Sequence, residues 1–135
     1  MVSPAPTTKS NDAQTYPETL YYAKRVSEGG AQPVYKKLLP DGQPTVLSPE
    51  PSQKLRDHSP DGFQYGYSGS GPAQLALALL LDATSDPERA TAFYQYFKDA
   101  KVATWGEDWS IKGSDILTWL KEEEDRQIFD RIGKN

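Results

Sequence analysis

The stretch Ala73 to Leu81, AQLALALLL, is apolar on every helical face and is broken only by Gln74, so any fold of this chain has to enclose it. It is far shorter than the ~20 residues that cross a bilayer, which makes it a core helix and not a membrane span. Gly66, Gly69 and Gly71 stand just before it and let the backbone turn tightly. Pro72 suits a first helical turn, where its missing N–H costs no intrahelical bond. Asp57 to Asp82 thus joins the only histidine, the densest glycine and aromatic run and the most apolar segment. The pattern predicts a buried helix over 72–83, with the turn that leads into it as the foremost functional surface.

Around that helix the pattern predicts an α+β fold. Leu20 to Val26 and Val34 to Leu39 carry the β-branched, aromatic and aliphatic content of strands, and Ser27 to Gly30 between them is a turn signal. Thr45 to Leu47, flanked by Pro44, reads as an edge strand, and the alternation of Phe63, Tyr65 and Tyr67 suggests a short fourth. Ser48 to Ser52, with Pro49 and Pro51, reads as a break without an element of its own. Ser85 to Glu88 has capping-box spacing and an early proline, so a second helix should start there and turn Ala90, Phe93, Phe97 and Ala100 inward. Ser114 is a good N-cap for a third, with Ile116, Leu117 and Leu120 inside and the acidic run Lys121 to Asp125 in solvent. Ile128, Phe129 and Ile132 either extend this helix or form a separate terminal turn, and Trp105, Trp109 and Trp119 read as core pieces. The expected architecture is a small antiparallel β meander of two to four strands on about three helices. Residues 1–17, rich in Pro, Ser, Thr and Asn, read as a disordered arm, and 18–135 as a single α+β domain.

Charge and composition narrow the function classes. A formal net charge of −4 argues against strong nonspecific attraction to nucleic acid or an anionic membrane and leans towards partners with a basic face. With no cysteine in the chain, disulfides, thiol catalysis and thiolate metal sites are excluded, and one histidine rules out a histidine-based metal cluster. The N-terminus shows no apolar signal-peptide core, so the expected location is the cytoplasm.

The glycine turn invites two chemical comparisons. Gly66 to Gly71 has the glycine frame of a phosphate loop, but Pro72 and Ala73 follow where a Lys and a Ser or Thr would be needed. Its amides at a helix N-terminus still suit an anion such as a phosphate or a carboxylate. Gly66-Tyr67-Ser68-Gly69-Ser70 resembles a nucleophile elbow whose last glycine is Ser70, and His58 is the only histidine base, with Asp57, Asp61 or Asp82 to orient it. The chain is too short for the hydrolase fold that uses this elbow, and it lacks that fold's strand and helix alternation; His58 is better read as fixing the turn into Ser59-Pro60. Phe63, Tyr65 and Tyr67, with Tyr94 and Tyr96, form a second candidate surface, since exposed tyrosines anchor protein partners. Only Arg56, Lys98 and Lys101 lie near them, which leaves a nucleic-acid groove underspecified. No catalytic residue, metal or cofactor is assigned. The expected ligand- or partner-binding set is His58, Tyr65, Tyr67, Ser68, Gly69, Ser70, Gly71 and Gln74.

HSPDGFQYGYSGSGPAQLALALLLD resembles the signature of a small domain-of-unknown-function family of bacteria, archaea, phages and plasmids, of the form HSP-x-GF-x-WGY-x-GSGPAQLALA. Tyr65 stands here for the usual tryptophan and Ser68 for a glycine, while His58, Ser59, Pro60, Gly62, Phe63, Gly66, Tyr67, Gly69, Ser70, Gly71, Pro72, Ala73 and Gln74 match. YQYFKDAKVATW and WSIKGSDILTWL are similar to the family's second half. The resemblance implies a common fold and a mobile-element setting and carries no established activity. The expected function is a non-enzymatic interaction protein, phage- or plasmid-borne, acting on a host protein, for example as an inhibitor of host defence or transcription, and the expected partner is a host protein or a second copy of the chain. The alternative is a small-ligand or phosphate-binding protein, or a minor hydrolase, working through the turn.

Overall fold

The computed structural model describes residues 18–133, so the expected arm over 1–17 lies outside the described residues. Four strands, β1 (Glu18–Lys24), β2 (Tyr35–Leu39), β3 (Thr45–Val46) and β4 (Asp108–Lys112), form one sheet in the order β3-β2-β1-β4, and every neighbouring pair is antiparallel. The helices are α1 (Glu50–Leu55), α2 (Ser70–Thr84), α3 (Pro87–Ala100) and α4 (Gly113–Gly133), with a 3-10 turn at Val102–Thr104. The arrangement is α+β, as the sequence pattern predicts.

Successive side chains of a strand point to opposite faces. In β1 this sends Tyr21 and Ala23 into the core and Leu20, Tyr22 and Lys24 outward. Cross-strand partners share a face, so Trp109 and Ile111 of β4 join the inner side through Ala23 and Tyr21. Against that side lies α2, whose residues from Gly71 to Leu80 are all buried. Ala90 and Phe97 of α3 and Ile116 of α4 close the core around it.

Several boundaries differ from the sequence reading. Pro49 and Pro51 start α1 instead of breaking the chain: Pro49 is the N-cap and Pro51 falls in the first turn, where a proline loses no intrahelical bond. The cap of α3 is Asp86, whose carboxylate accepts from the Glu88 and Arg89 amides, while Ser85 sits at φ 54° and closes α2 through its bond to Leu81 O. Tyr94 joins Ala90 and Phe97 on the buried stripe of α3, Phe93 is half-buried and packs against the core as expected, and Ala100 and Leu117 are exposed. Phe63 to Tyr67 form no strand. Their backbone is bonded piecemeal instead, Phe63 O to Gln32 N and Gly66 N to Val102 O, and the fourth strand is β4. Glu123, expected in solvent, is buried, because it continues the Ile116, Leu120 stripe at helical spacing and is held by Arg126 and Gln127. Ile128, Phe129 and Ile132 extend α4 and are exposed.

A polar clamp ties sheet to helix. Tyr21 OH donates to Asp82 Oδ2 at 2.6 Å, and Lys36 Nζ meets Asp82 Oδ1 at 2.7 Å. Burial first, then the Asp82 bond, pushes the Tyr21 phenol well above its ordinary value.

Leu79 is fully enclosed at the centre of the core, so Leu79→Ala should cost roughly 2–5 kcal/mol in denaturant unfolding; a loss under about 0.5 kcal/mol would mean that α2 is not the central helix. The clamp gives a pH signature. A phenol whose pKa is raised on folding contributes stability that is complete below its unfolded pKa of about 10 and falls as pH rises beyond it. Wild type should therefore lose more stability between pH ~7 and pH ~11 than Tyr21→Phe does, although the variant starts about 1–3 kcal/mol lower through its lost bond to a charged acceptor. Equal losses in paired denaturant melts would remove Tyr21 from the alkaline response.

Candidate functional site

The turn before α2 is built on one buried side-chain amide. Gln74 Oε1 accepts from His58 N at 2.7 Å and Ser59 N at 3.0 Å, and Gln74 Nε2 donates to Ser52 Oγ at 2.9 Å and Arg56 O at 3.0 Å. A glutamine amide has two lone pairs and two protons, and all four are used here. Ser52 Oγ passes its own proton to Pro49 O at 2.8 Å. One residue of α2 thereby fastens α1 and the His58-Ser59-Pro60 corner. His58 Nε2 then reaches Tyr94 OH on α3 at 2.6 Å, tying the corner to a third element.

Beyond the corner the chain runs through Phe63 to Gly69 into α2. Tyr65 is 0% exposed: its ring stacks edge-on against Trp109, and its hydroxyl donates to Glu107 O at 3.1 Å. Burial pushes its phenol upward, against the pull of the Arg25 guanidinium, which lies 4.9 Å from the ring centre. Gly66 follows at φ +87°, where a side chain would be strained and a Cβ would sit 3.0 Å from Trp105 O. Tyr67 emerges at 47% exposure, and Ser68 Oγ donates to Asp99 Oδ1 on α3 at 3.4 Å. Gly69 is the N-cap of α2, in extended backbone, with no side-chain cap, and it lies against the Tyr67 ring. At Gly71 a Cβ would meet Gln64 Cβ at 2.6 Å, so this glycine is there for close approach of chain to chain.

The expected site residues fall into two groups. Tyr67, Ser68 and Ser70 are exposed at the rim. Tyr65, Gly71 and Gln74 are buried behind it, and His58 and Gly69 are half-buried between, where they set the turn's shape. Ser68 and His58 engage different groups, Asp99 and Tyr94, so the serine and the histidine of the elbow comparison are not bonded to each other. Gln74 was visible in the sequence as the lone polar residue of an apolar run. Its partner Ser52 and the His58 partner Tyr94 were not, because they meet through space. A second buried amide, Gln32, also escaped: it accepts from Val26 N and donates to Ser27 O, organising the β1–β2 loop, and its position between Ala31 and Pro33 gives no periodic signal.

A family model described as a family of unknown function, DUF6166, matches residues 21–122, from β1 into α4 and across the whole turn. The chain belongs to this family. DUF6166 thus spans the sheet from Tyr21 onward, α1, α2, α3 and the Gln74 network, while the start of β1 and the end of α4 lie beyond the match. No curated protein and no solved structure matches the chain. Among the described residues no helix is long and apolar enough to cross a membrane.

Removing the amide should open the corner. Gln74→Ala strands two backbone N–H groups and the Arg56 carbonyl, and a buried unsatisfied group costs about 1–3 kcal/mol. The expected loss is at least about 3 kcal/mol in urea unfolding; a variant within about 1 kcal/mol of wild type would show that water replaces the amide and that it fastens nothing.

Proposed function

We propose that the protein is a non-enzymatic binding protein that captures a protein partner on the rim formed by the glycine turn and α3. The observation that carries this reading is the pair of exposed tyrosines, Tyr67 at 47% and Tyr96 at 51%: Tyr67 adjoins Ser68 on the turn, Tyr96 lies three residues before Asp99 on α3, and the Ser68–Asp99 contact joins the two elements. Tyrosine gives large, stiff contact area at low entropic cost, and a rigid backing reduces what binding must order. The net charge of −4 favours a partner with a basic face. The finer form of the proposal follows from the family resemblance: a phage- or plasmid-borne protein acting in the cytoplasm on a host protein, as an inhibitor of defence or transcription. The ligand or hydrolase reading draws less support, since Gly71 and Gln74 serve packing and Ser68 and His58 bond elsewhere.

Affinity capture from the native host, read by mass spectrometry, is the test. Tyr67→Ala and Tyr96→Ala should each lose the partner while unfolding within about 0.5 kcal/mol of wild type, and Ser68→Ala should keep it. Retention of the partner by both tyrosine variants would overturn the reading. So would a small-molecule thermal shift that Ser68→Ala and His58→Ala abolish, which is the signature of the alternative.

A further inference from the structure

The sheet has a second face, turned away from the helices, and the register orders it into rows. Tyr22 of β1 pairs with Tyr35 of β2 on one side and Ser110 of β4 on the other, and Val46 of β3 pairs with Tyr35. The two tyrosine rings stack, 5.8 Å apart and 28° from parallel. In the adjacent row Leu20 lies between Lys37 and Lys112, and Lys37 Nζ is 5.6 Å from the Tyr22 ring centre. On the far side of the tyrosine row, Lys24 pairs with Asp108. None of Leu20, Tyr22, Tyr35 and Leu39 belongs to the core, and Lys24, Val46 and Lys112 are exposed.

We infer that this face binds single-stranded nucleic acid, with a base stacked on the outer side of the Tyr22–Tyr35 pair and phosphates on Lys37 and Lys112. Rows on one face of a strand are two residues apart, about 6.6–6.8 Å, close to the reach from a stacked base to its own phosphate. Stacking on an aromatic platform beside basic side chains is how unpaired strands are held, because every base offers a π-face and every nucleotide a charge. The overall charge of −4 conceals this patch. Three lysines, Lys24, Lys37 and Lys112, meet two acids, Glu18 and Asp108, on this face, so it is locally basic by one charge, and Glu18 is turned to the Ser114 backbone N–H and hydroxyl at 3.2 and 2.5 Å. A duplex presents no free base face to the tyrosines and is disfavoured. The surface is distinct from the Tyr67 and Tyr96 rim, so either assignment stands without the other.

The test is fluorescence anisotropy with the full chain, a labelled mixed-sequence strand of about 12 nucleotides as RNA and as DNA, and the matching duplex. Saturable binding of the strand at low salt is expected, weaker for the duplex. Tyr22→Ala and Tyr35→Ala should each weaken it about fivefold or more. Lys37→Gln and Lys112→Gln should each lower the slope of log affinity against log salt by about 0.7. Tyr96→Ala should bind as wild type. Should an alanine variant lose its cooperative melt, Tyr22→Leu, which keeps apolar cover and removes the ring, takes its place. Three results would overturn the inference: no saturable binding of either strand, affinity that follows the lysines but ignores both tyrosines, or a wild-type dimer in light scattering that Tyr22→Ala dissociates while strand binding is absent, which assigns the face to a second copy.

Discussion

Burying an amide without partners is costly, and Gln74 lies at the heart of the most apolar helix of the chain. That cost is removed only if four groups from elsewhere come to it, and the structure supplies them from α1, from its last turn and from the His58 corner. A leucine at this position would suit α2 alone equally well and would leave the preceding segment unregistered. The glutamine fixes the short helix α1 and the irregular chain that follows it, from Arg56 to Ser59, into a shell of defined geometry. Tyr94 becomes a partner of the corner through His58, so α3 is positioned relative to α1 by the same device. Non-local polar satisfaction thus does here what strand pairing does in the sheet.

The two faces of the sheet divide the labour of the molecule. Tyr21 and Tyr22 are neighbours in sequence, and alternation sends one to Asp82 and the core and the other to the open surface beside Tyr35. The glycine turn repeats the division: Tyr65 goes in and Tyr67 goes out two residues later, with Gly66 at positive φ reversing the direction between them. In both places a rigid interior tyrosine stabilises the backbone that presents an exterior one. Each exterior tyrosine is thereby presented on backbone that is already ordered.

Much of this was legible in the sequence wherever one period governs a segment. The apolar run announced α2, and the alternating content of Leu20 to Val26 announced β1. Legibility failed where partners are remote or where one residue type has two uses. Pro49 and Pro51 serve equally as breakers and as helix starters, and only the packing of Ser52 decides between these uses. The alternation of Phe63 and Tyr65 is real in burial yet gives no strand, because Gln32 and Val102 take up its backbone groups one at a time. At the candidate site the rim residues Tyr67, Ser68 and Ser70 stood out as a motif. The inner role of Tyr65 and Gly71 depended on Trp109 and Gln64, which no local pattern relates to them. The outer tyrosines were readable in principle, since two adjacent tyrosines in a strand cannot both be inside.

α4 carries a gradient within one continuous element. Its first turns are fixed by Ile116 and Leu120 in the core, and Arg89 braces Glu124 with two bonds of 2.9 Å. From Asp125 to Gly133 every residue but Gln127 is exposed, and the apolar Ile128, Phe129 and Ile132 rest on nothing in the core. Beyond the bonds of Arg126 and Gln127 to Glu123 little apolar burial supports this stretch, and a helix held mainly by local propagation is marginal in water over so short a length. The amides of a single helix should therefore report two regimes: global unfolding near its start, and independent fraying over its last turns. The boundary between them falls where the helix leaves the globule, so the apolar residues of the last turns, Ile128, Phe129 and Ile132, can change without the core registering it.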